Sequence, residues 1–413
     1  VKNLYSIAMV AACPFPANHG TPAAIREMSQ ELARRGHSVR VVTYPLHDDI
    51  AISGIAIDRV RQIGRSRKVR VGPGYQRLVF DLLLVFKLLQ VVRKHRIDRI
   101  HAHNYEAALV AALVGRLTGV PVIYNAINTM IGELPSYDFI RPRFLAKALA
   151  RLLDQFAPRL ADIIVADTEE LRGFLLEKGL PSDRVITIHS GVSPEMFARG
   201  DADKIRTQFS LQNARLILYA GTFDAFQGLD YLLAAFLAVL AKFPDAHLLL
   251  AGGTINPAHQ RRIASAAEKL GIASQVTITS ATLDQLPDFL AAADVAVVPR
   301  PESAGIPTKL LNYMAAAKPI VSFAKSATIL EHNKNAHLVL KVSADDLAKG
   351  IVELLAHPER ARDLGRNAQA LIAGRFDWST IAEQIEIVYA RALGKKNRAN
   401  EPCRRRSLFA PPL

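Results

Sequence analysis

The sequence predicts an α/β fold of two doubly wound parallel-sheet domains facing a deep interdomain cleft. Apolar strand-like runs alternate with helical periodicities along most of the chain, as in parallel sheets covered on both faces. The alternation breaks after Ser190-Gly191 and Pro194 and restarts near residue 216. In addition, 413 residues, half of them hydrophobic and without a long biased tract, exceed what one hydrophobic core holds.

In the first half the predicted order is a strand at 5–12, a helix at 23–35, a strand at 38–44, a helix at 75–95 and a strand at 99–103. A helix at 106–118 and strands at 122–126, 163–166 and 185–189 follow, with Thr168 capping a helix after the second of these strands. The opening run ends in Val10-Ala11-Ala12-Cys13, which imitates a secretory cleavage site. The strand reading is preferred because the sheet otherwise lacks its first unit.

The second half repeats the scheme: strands at 216–220, 247–251, 276–278, 295–299 and 320–323, and helices at 229–243, before Gly271, and at 283–292, 309–317, 344–356 and 358–372. A last helix, 378–393, stands apart. The boundary falls between residues 200 and 215, giving domains 1–205 and 206–375. No tandem short repeat is present, which excludes a solenoid.

The net charge of +14 admits nucleic acid, an anionic membrane or an acidic substrate as partner. Arg59, Arg61, Arg65, Arg67, Lys68, Arg70 and Arg77 occur without an acid between them, and the apolar run 78–92 follows, broken only by Asp81, Lys87 and Gln90. Such a segment suits an anionic leaflet, at about 1 kcal/mol per charge; a solvated loop before a core helix is the competing reading. Aromatic residues do not interleave with the basic run, so nucleic acid is not expected. The basic tail 395–413 is expected to be disordered. No uncharged apolar run reaches membrane-spanning length. Cys13 and Cys403 form no disulfide framework or metal motif, which fits the cytoplasm and a metal-free site.

Ligands of doubly wound sheets bind beyond the carboxyl ends of strands, so the residues after each strand are the candidates. Gly20-Thr21 opens the first helix and offers backbone amides to a phosphate. After the strand at 216–220, Gly221 leaves room for a ligand while Thr222 and Gln227 supply neutral hydrogen-bonding groups. The strongest element runs from Pro299 to Pro319. Arg300, then Gly305, Ile306, Pro307, Thr308, Lys309 and Leu310, lead from a turn into a helix whose amides and Lys309 ammonium suit a diphosphate. Asn312, one turn on, reaches ribose hydroxyls. On the first domain, His103 and Glu106 are candidates to position an acceptor hydroxyl or take its proton, whereas His101 reads as a packed strand residue. Glu133 and Asp138 lie on an irregular segment of the acceptor side.

The segment from Gly305 to Ala316 with Lys318-Pro319-Ile320-Val321 resembles the signature of the retaining glycosyltransferases of family 4, which have the GT-B fold of two Rossmann-like domains. Arg35-Gly36-His37-Ser38-Val39, Ile188-His189-Ser190-Gly191-Val192 with Phe197, and Gly228-Leu229-Asp230-Tyr231-Leu232 extend the resemblance over nearly the whole chain. It implies sugar transfer from a nucleotide-diphosphate sugar, with retention at the anomeric carbon and no metal or cofactor. The second domain would hold the donor, and the first a glycan or lipid-linked acceptor of cell-surface polysaccharide or glycolipid synthesis, at the inner face of a membrane. The helix after Phe376-Asp377-Trp378-Ser379 resembles the segment that packs back on the first domain, so 376–394 is assigned there. The chain departs from the family where members carry a diphosphate-gripping Arg and Lys, here Thr222 and Gln227. The paired-Glu motif falls on Ala304 and Asn312, and a common His is Ile127, with Asn128 beside it on the acceptor side. These departures leave open a nucleotide-sugar-binding scaffold or, on the same architecture, an epimerase.

Overall fold

The computed structural model describes residues 3–17, 20–63, 75–134, 140, 142–253, 257–303 and 305–392. Asn18-His19, the basic residues from 65 to 70, Asp138, Ala304 and the tail 395–413 lie outside the described residues. The strands are β1 (Ser6–Ala11), β2 (Ser38–Thr43), β3 (Ala56–Arg59), β4 (Arg99–His103), β5 (Val122–Ala126), β6 (Ile163–Ala166) and β7 (Val185–Thr187), then β8 (Arg215–Ala220), β9 (Ala246–Gly252), β10 (Val276–Ser280), β11 (Val295–Val298), β12 (Ile320–Phe323) and β13 (His337–Val339). The helices of the first half are α1 (Gly20–Arg34), α2 (Tyr75–His95), α3 (Tyr105–Thr118), α4 (Met130–Glu133), α5 (Arg143–Phe156), α6 (Glu169–Glu177), α7 (Pro194–Phe197) and α8 (Ala202–Gln208). Those of the second are α9 (Leu229–Leu240), α10 (Pro257–Lys269), α11 (Leu286–Ala292), α12 (Thr308–Ala315), α13 (Ala344–Ala356), α14 (Pro358–Ala370) and α15 (Trp378–Arg391).

Two parallel sheets result, ordered β3-β2-β1-β4-β5-β6-β7 and β10-β9-β8-β11-β12-β13. Each reverses its direction of growth at one place, between β1 and β4 in the first and between β8 and β11 in the second. A crevice opens at such a point because the adjoining connections leave on opposite faces. Four sequence motifs follow these four strands: Gly20-Thr21 after β1, His103 to Glu106 at the end of β4, Gly221 to Gln227 after β8, and Arg300 to Lys309 after β11.

The central strands are apolar on both faces because each face is covered: Ile7 and Met9 enter one core and Ala8 and Val10 another. Thr168 caps α6, its side chain accepting from the Leu171 amide at 3.1 Å. The chain crosses from the first sheet to the second after β7 and returns before α15, and the two crossings are joined where the Val192 amide donates to the Phe376 carbonyl at 2.8 Å. Helix α15 then packs on the first sheet. Trp378, Ile381, Ile385, Val388 and Tyr389 share a core with Ile7 and Met9, while Glu386 accepts two bonds from Arg35, at 2.9 and 3.1 Å.

The structure extends the predicted set. Helix α1 begins at Gly20 rather than residue 23, which places Pro22 third in the helix. Glu133 closes the short α4 instead of lying on irregular chain. The edge strands β3 and β13, of four and three residues, are too short for a two-residue alternation to register. Helix α5 carries a clear helical periodicity and follows directly on a described Pro142 in extended conformation.

Candidate functional site

The donor-side cradle is built on Lys309, the second residue of α12. Its ammonium donates to the Tyr219 hydroxyl and to Gln227 Oε1, each at 2.7 Å, and stands 4.2 Å from the centre of the Tyr219 ring. The Tyr219 hydroxyl donates to the Thr222 carbonyl at 2.6 Å, and Gln227 Nε2 donates to Thr222 Oγ1 at 3.3 Å. Thr222, Gln227 and Lys309, three residues marked from sequence, thus close one ring. Gly221 is part of it by omission: a Cβ there would lie 2.7 Å from Lys309 Nζ. Burial, reinforced by the like charge of Arg300 and opposed by Asp224, drives the Lys309 pKa well below the ordinary lysine value. Arg300 itself rests over the Phe226 ring at 5.0 Å and donates from Nε to the Glu302 carbonyl at 2.7 Å.

Helix α12 begins beside this cation. Pro307 precedes it and no side chain caps its N-terminus, which leaves the first-turn donors of an unscreened helix end beside the lysine. Two motif residues turn their side chains into the core. Leu310 is fully buried in the second-domain core and its amide is spent on the Pro307 carbonyl at 2.8 Å; Ile306 packs into the same core. The donor contact expected of Leu310 is therefore corrected to a packing role. Thr308 is half-buried at the helix start and Asn312 is 9% exposed on the next turn. Gly305 meets the opposite domain: a Cβ built on it would lie 3.3 Å from the Ile127 carbonyl and 3.8 Å from Asp167 Oδ2.

Tyr219 and Tyr313 belong to the site and are not legible as such in the sequence, where each sits in an apolar run. The Tyr313 hydroxyl accepts from the Ala220 amide at 2.7 Å and donates to the Ala220 carbonyl at 3.2 Å, fixing the end of β8 against α12.

On the facing domain, Gly20 begins α1 in a left-handed conformation, φ 32°, with Thr21 half-buried beside it. Asn128 is half-buried beyond β5, its carbonyl accepting the Tyr105 hydroxyl at 3.5 Å. His103 does not face the cleft. It is 1% exposed, stacked on His101 with ring centroids 4.5 Å apart, and its Nε2 lies 3.4 Å from Met9 Sδ. Burial pushes its pKa down to about 3, so it is a neutral core residue and not an acceptor base. His101, as expected, is packed: its Nδ1 meets the Tyr389 hydroxyl of α15 at 2.8 Å.

Glu106 is placed differently, in the first turn of α3 and 3.8 Å from Arg77. Near it, the Tyr44 hydroxyl donates to Asp81 at 2.5 Å, and burial pushes the Asp81 carboxyl up to about 6. Asp81 went unassigned in the sequence; its interruption of the apolar run 78–92 was the available signal. Among the described residues, no group of three or more His, Cys, Asp or Glu side chains is placed to hold a metal ion.

A family model described as glycosyl transferases group 1 matches residues 214–357, and one described as glycosyl transferase 4-like domain matches residues 19–191. D-inositol 3-phosphate glycosyltransferase 2 of Catenulispora acidiphila is 30% identical over 323 residues, 72% of this chain and 71% of its own. Alpha-D-kanosaminyltransferase of Streptomyces kanamyceticus is 24% identical, across 88% of this chain and 98% of its own. Among solved structures, sucrose-phosphate synthase of Thermosynechococcus elongatus has a TM-score of 0.77 at 21% identity, covering 94% of this chain and 98% of its own. Anabaena HepE in complex with UDP has a TM-score of 0.71 at 18% identity, covering 94% and 100%. At these identities the two structures show the fold. With two facing Rossmann-like sheets, a lysine-bearing cradle after β11 and matching models over both halves, the chain belongs to the family 4, group 1 glycosyltransferases of GT-B fold.

Proposed function

We propose that the chain transfers a sugar from a nucleoside diphosphate sugar to a hydroxyl of a glycan or lipid-linked acceptor, with retention at the anomeric carbon, in the assembly of a cell-surface polysaccharide or glycolipid. The observation that carries this reading is Lys309: a half-buried lysine whose hydrogen-bond partners are a phenol and an amide, beside an uncapped helix N-terminus. Surroundings without a carboxylate in contact disfavour the charged form of this lysine, and a diphosphate would restore it. The same groups stabilise the diphosphate as it leaves, when the C1–O bond to phosphate breaks, the C1–O bond to the acceptor forms and the hydroxyl proton departs with the phosphate. Gly20-Thr21, the Gly305 turn and Thr308 contribute further donors, and Asn312 takes the ribose. Glu106, with Arg77 and Asp81 near it and Asn128 beyond the carboxyl end of β5, lines the acceptor side. No resident metal or cofactor is assigned.

Support for the substrate classes comes from relatives named for inositol 3-phosphate and for lipopolysaccharide, and from HepE, solved with UDP and with UDP-glucose. The test is a thermal-shift panel of UDP, GDP, ADP and their sugar conjugates on wild type and Lys309→Met. One nucleotide family should stabilise the wild type, by about 2.7 kcal/mol at a hundredfold excess over Kd. Lys309→Met, which keeps the shape and removes the amine, should fold at least as stably and lose the shift. A shift that persists in the variant sinks the assignment.

A further inference from the structure

Helix α5 is turned inside out relative to the usual helix of a globular domain. Its buried line is Ala146, Ala150 and Asp154, while Phe144, Leu145, Leu149, Leu152 and Phe156 are exposed, Phe144 by 67% and Phe156 by 56%. At 100° per residue these five fill one broad outward arc, and Arg143, Lys147 and Arg151, spaced four apart and exposed, form a stripe along one edge of it. The acid of the helix, Asp154, points inward, where it accepts the Tyr105 hydroxyl at 2.5 Å and the amides of Met130 and Ile131 at 2.8 and 3.0 Å. The orientation is therefore fixed by hydrogen bonds, and the apolar arc is held outward. The helices α2 and α3 add exposed stripes of their own, Leu78, Leu82 and Phe86, and Leu109, Leu113 and Leu117.

We propose that α5 docks the protein on an anionic lipid surface, its Phe and Leu side chains entering the boundary of the acyl layer and its three basic residues meeting lipid phosphates. Two features select this occupant. An outward apolar arc edged by cations is the pattern of helices that lie in a membrane interface. The exposed face of α5 carries no acid, so a second copy of the chain would set cations against cations. No helix among the described residues is long and apolar enough to cross a membrane, so the contact is peripheral. Asp154 ties α5 to α4, just beyond the carboxyl end of β5, where Ile127 approaches Gly305. Docking through α5 thus brings the rim of the cleft to the bilayer. This deepens the proposed transfer to a lipid-linked acceptor and rests on that reading for its purpose. The docking element so named is α5, not the basic run between 59 and 77.

The test is co-sedimentation of the full chain with phosphatidylcholine vesicles with and without phosphatidylglycerol, together with the nucleotide thermal shift on the same preparations. Wild type should bind the anionic vesicles, less at high salt. Leu149→Ser/Leu152→Ser/Phe156→Ser should lower vesicle affinity at least tenfold, and Arg143→Gln/Lys147→Gln/Arg151→Gln by roughly a hundredfold, about fivefold per charge. Both variants should keep the melting temperature and nucleotide shift of wild type, since the altered side chains are exposed. No wild-type binding overturns the proposal. So does binding that survives both α5 variants but is lost in Arg65→Gln/Arg67→Gln/Lys68→Gln/Arg70→Gln. Self-association of wild type that the apolar variant abolishes, without vesicle binding, overturns it in favour of a protein interface. Vesicle binding that depends on α5 in a protein insensitive to every nucleotide supports docking and overturns the donor reading alone.

Discussion

Gly221 and Gly228 bracket one turn, yet a methyl group added to each meets different matter. At Gly221 the nearest atoms are Lys309 Nζ and Cε, at 2.7 and 2.9 Å, the far end of a flexible side chain; at Gly228, where φ is 74°, the nearest is the Pro299 carbonyl oxygen at 2.1 Å. Gly221→Ala should therefore displace Lys309 and weaken nucleotide binding, and because φ there is 157°, a backbone conformation side chains rarely adopt, it should also lower the denaturation midpoint, by about 1–3 kcal/mol. Gly228→Ala should cost about 2 kcal/mol or more, read as a lower urea midpoint. His103 gives a pH dependence. Its pKa of about 3 in the folded chain lies below the ordinary histidine value of 6.5, so the unfolded chain binds a proton the folded one refuses. The associated stability is complete above 6.5 and is lost as pH falls toward 3, a loss of about 2 kcal/mol by pH 5. Urea midpoints at pH 7 and 5 should differ less in His103→Gln than in wild type. The role of His103 was partly visible in the sequence. Residues two apart in a strand share a face, and a packed His101 takes His103 inward with it. Lys309, Thr222 and Gln227 were legible because turns expose what they carry, whereas the partner of the Tyr219 hydroxyl is decided only when β8 and α12 meet.

Helix α15 works as a clasp on the first sheet. Tyr389 inserts its hydroxyl beside His101, Trp378 donates to Glu27 at 2.6 Å, and Glu386 joins Arg35 and His37. Tyr389→Phe leaves His101 Nδ1 without this partner in a buried setting and should cost about 1–3 kcal/mol by chemical denaturation, with nucleotide affinity unchanged. A cost below a few tenths would mean that the clasp holds by apolar packing alone. The regular elements of both sheets follow from runs of apolar residues between turn signals, and helices α2, α3 and α13 follow from their periodicity. Periodicity alone does not say which side of a helix is buried. For α5 that is settled by Asp154, whose three partners come from α3 and α4.

The Gly305 turn of the second domain approaches the Ile127 carbonyl of the first. Gly305→Ala puts a methyl carbon 3.3 Å from that oxygen, closer than side chains ordinarily pack. Because a small misplacement of donor against acceptor is expensive, kcat should fall on the order of ten- to a hundredfold, with the nucleotide thermal shift retained. Loss of the shift together with kcat would instead place the damage within the donor cradle. The existence of the cleft was legible from the restart of the alternation, but this seam was not, since it depends on how two separately readable halves are set against each other. The paired crossings at Val192 and Phe376 bear on that setting. A single tether would let one half swivel about the other like a ball on a string. Two tethers laced side by side act as the two pins of a door, permitting a swing about one line and resisting rotation about any other. Whatever opening admits a substrate and releases a product, the acceptor rim and the lysine cradle then return to the same register each time.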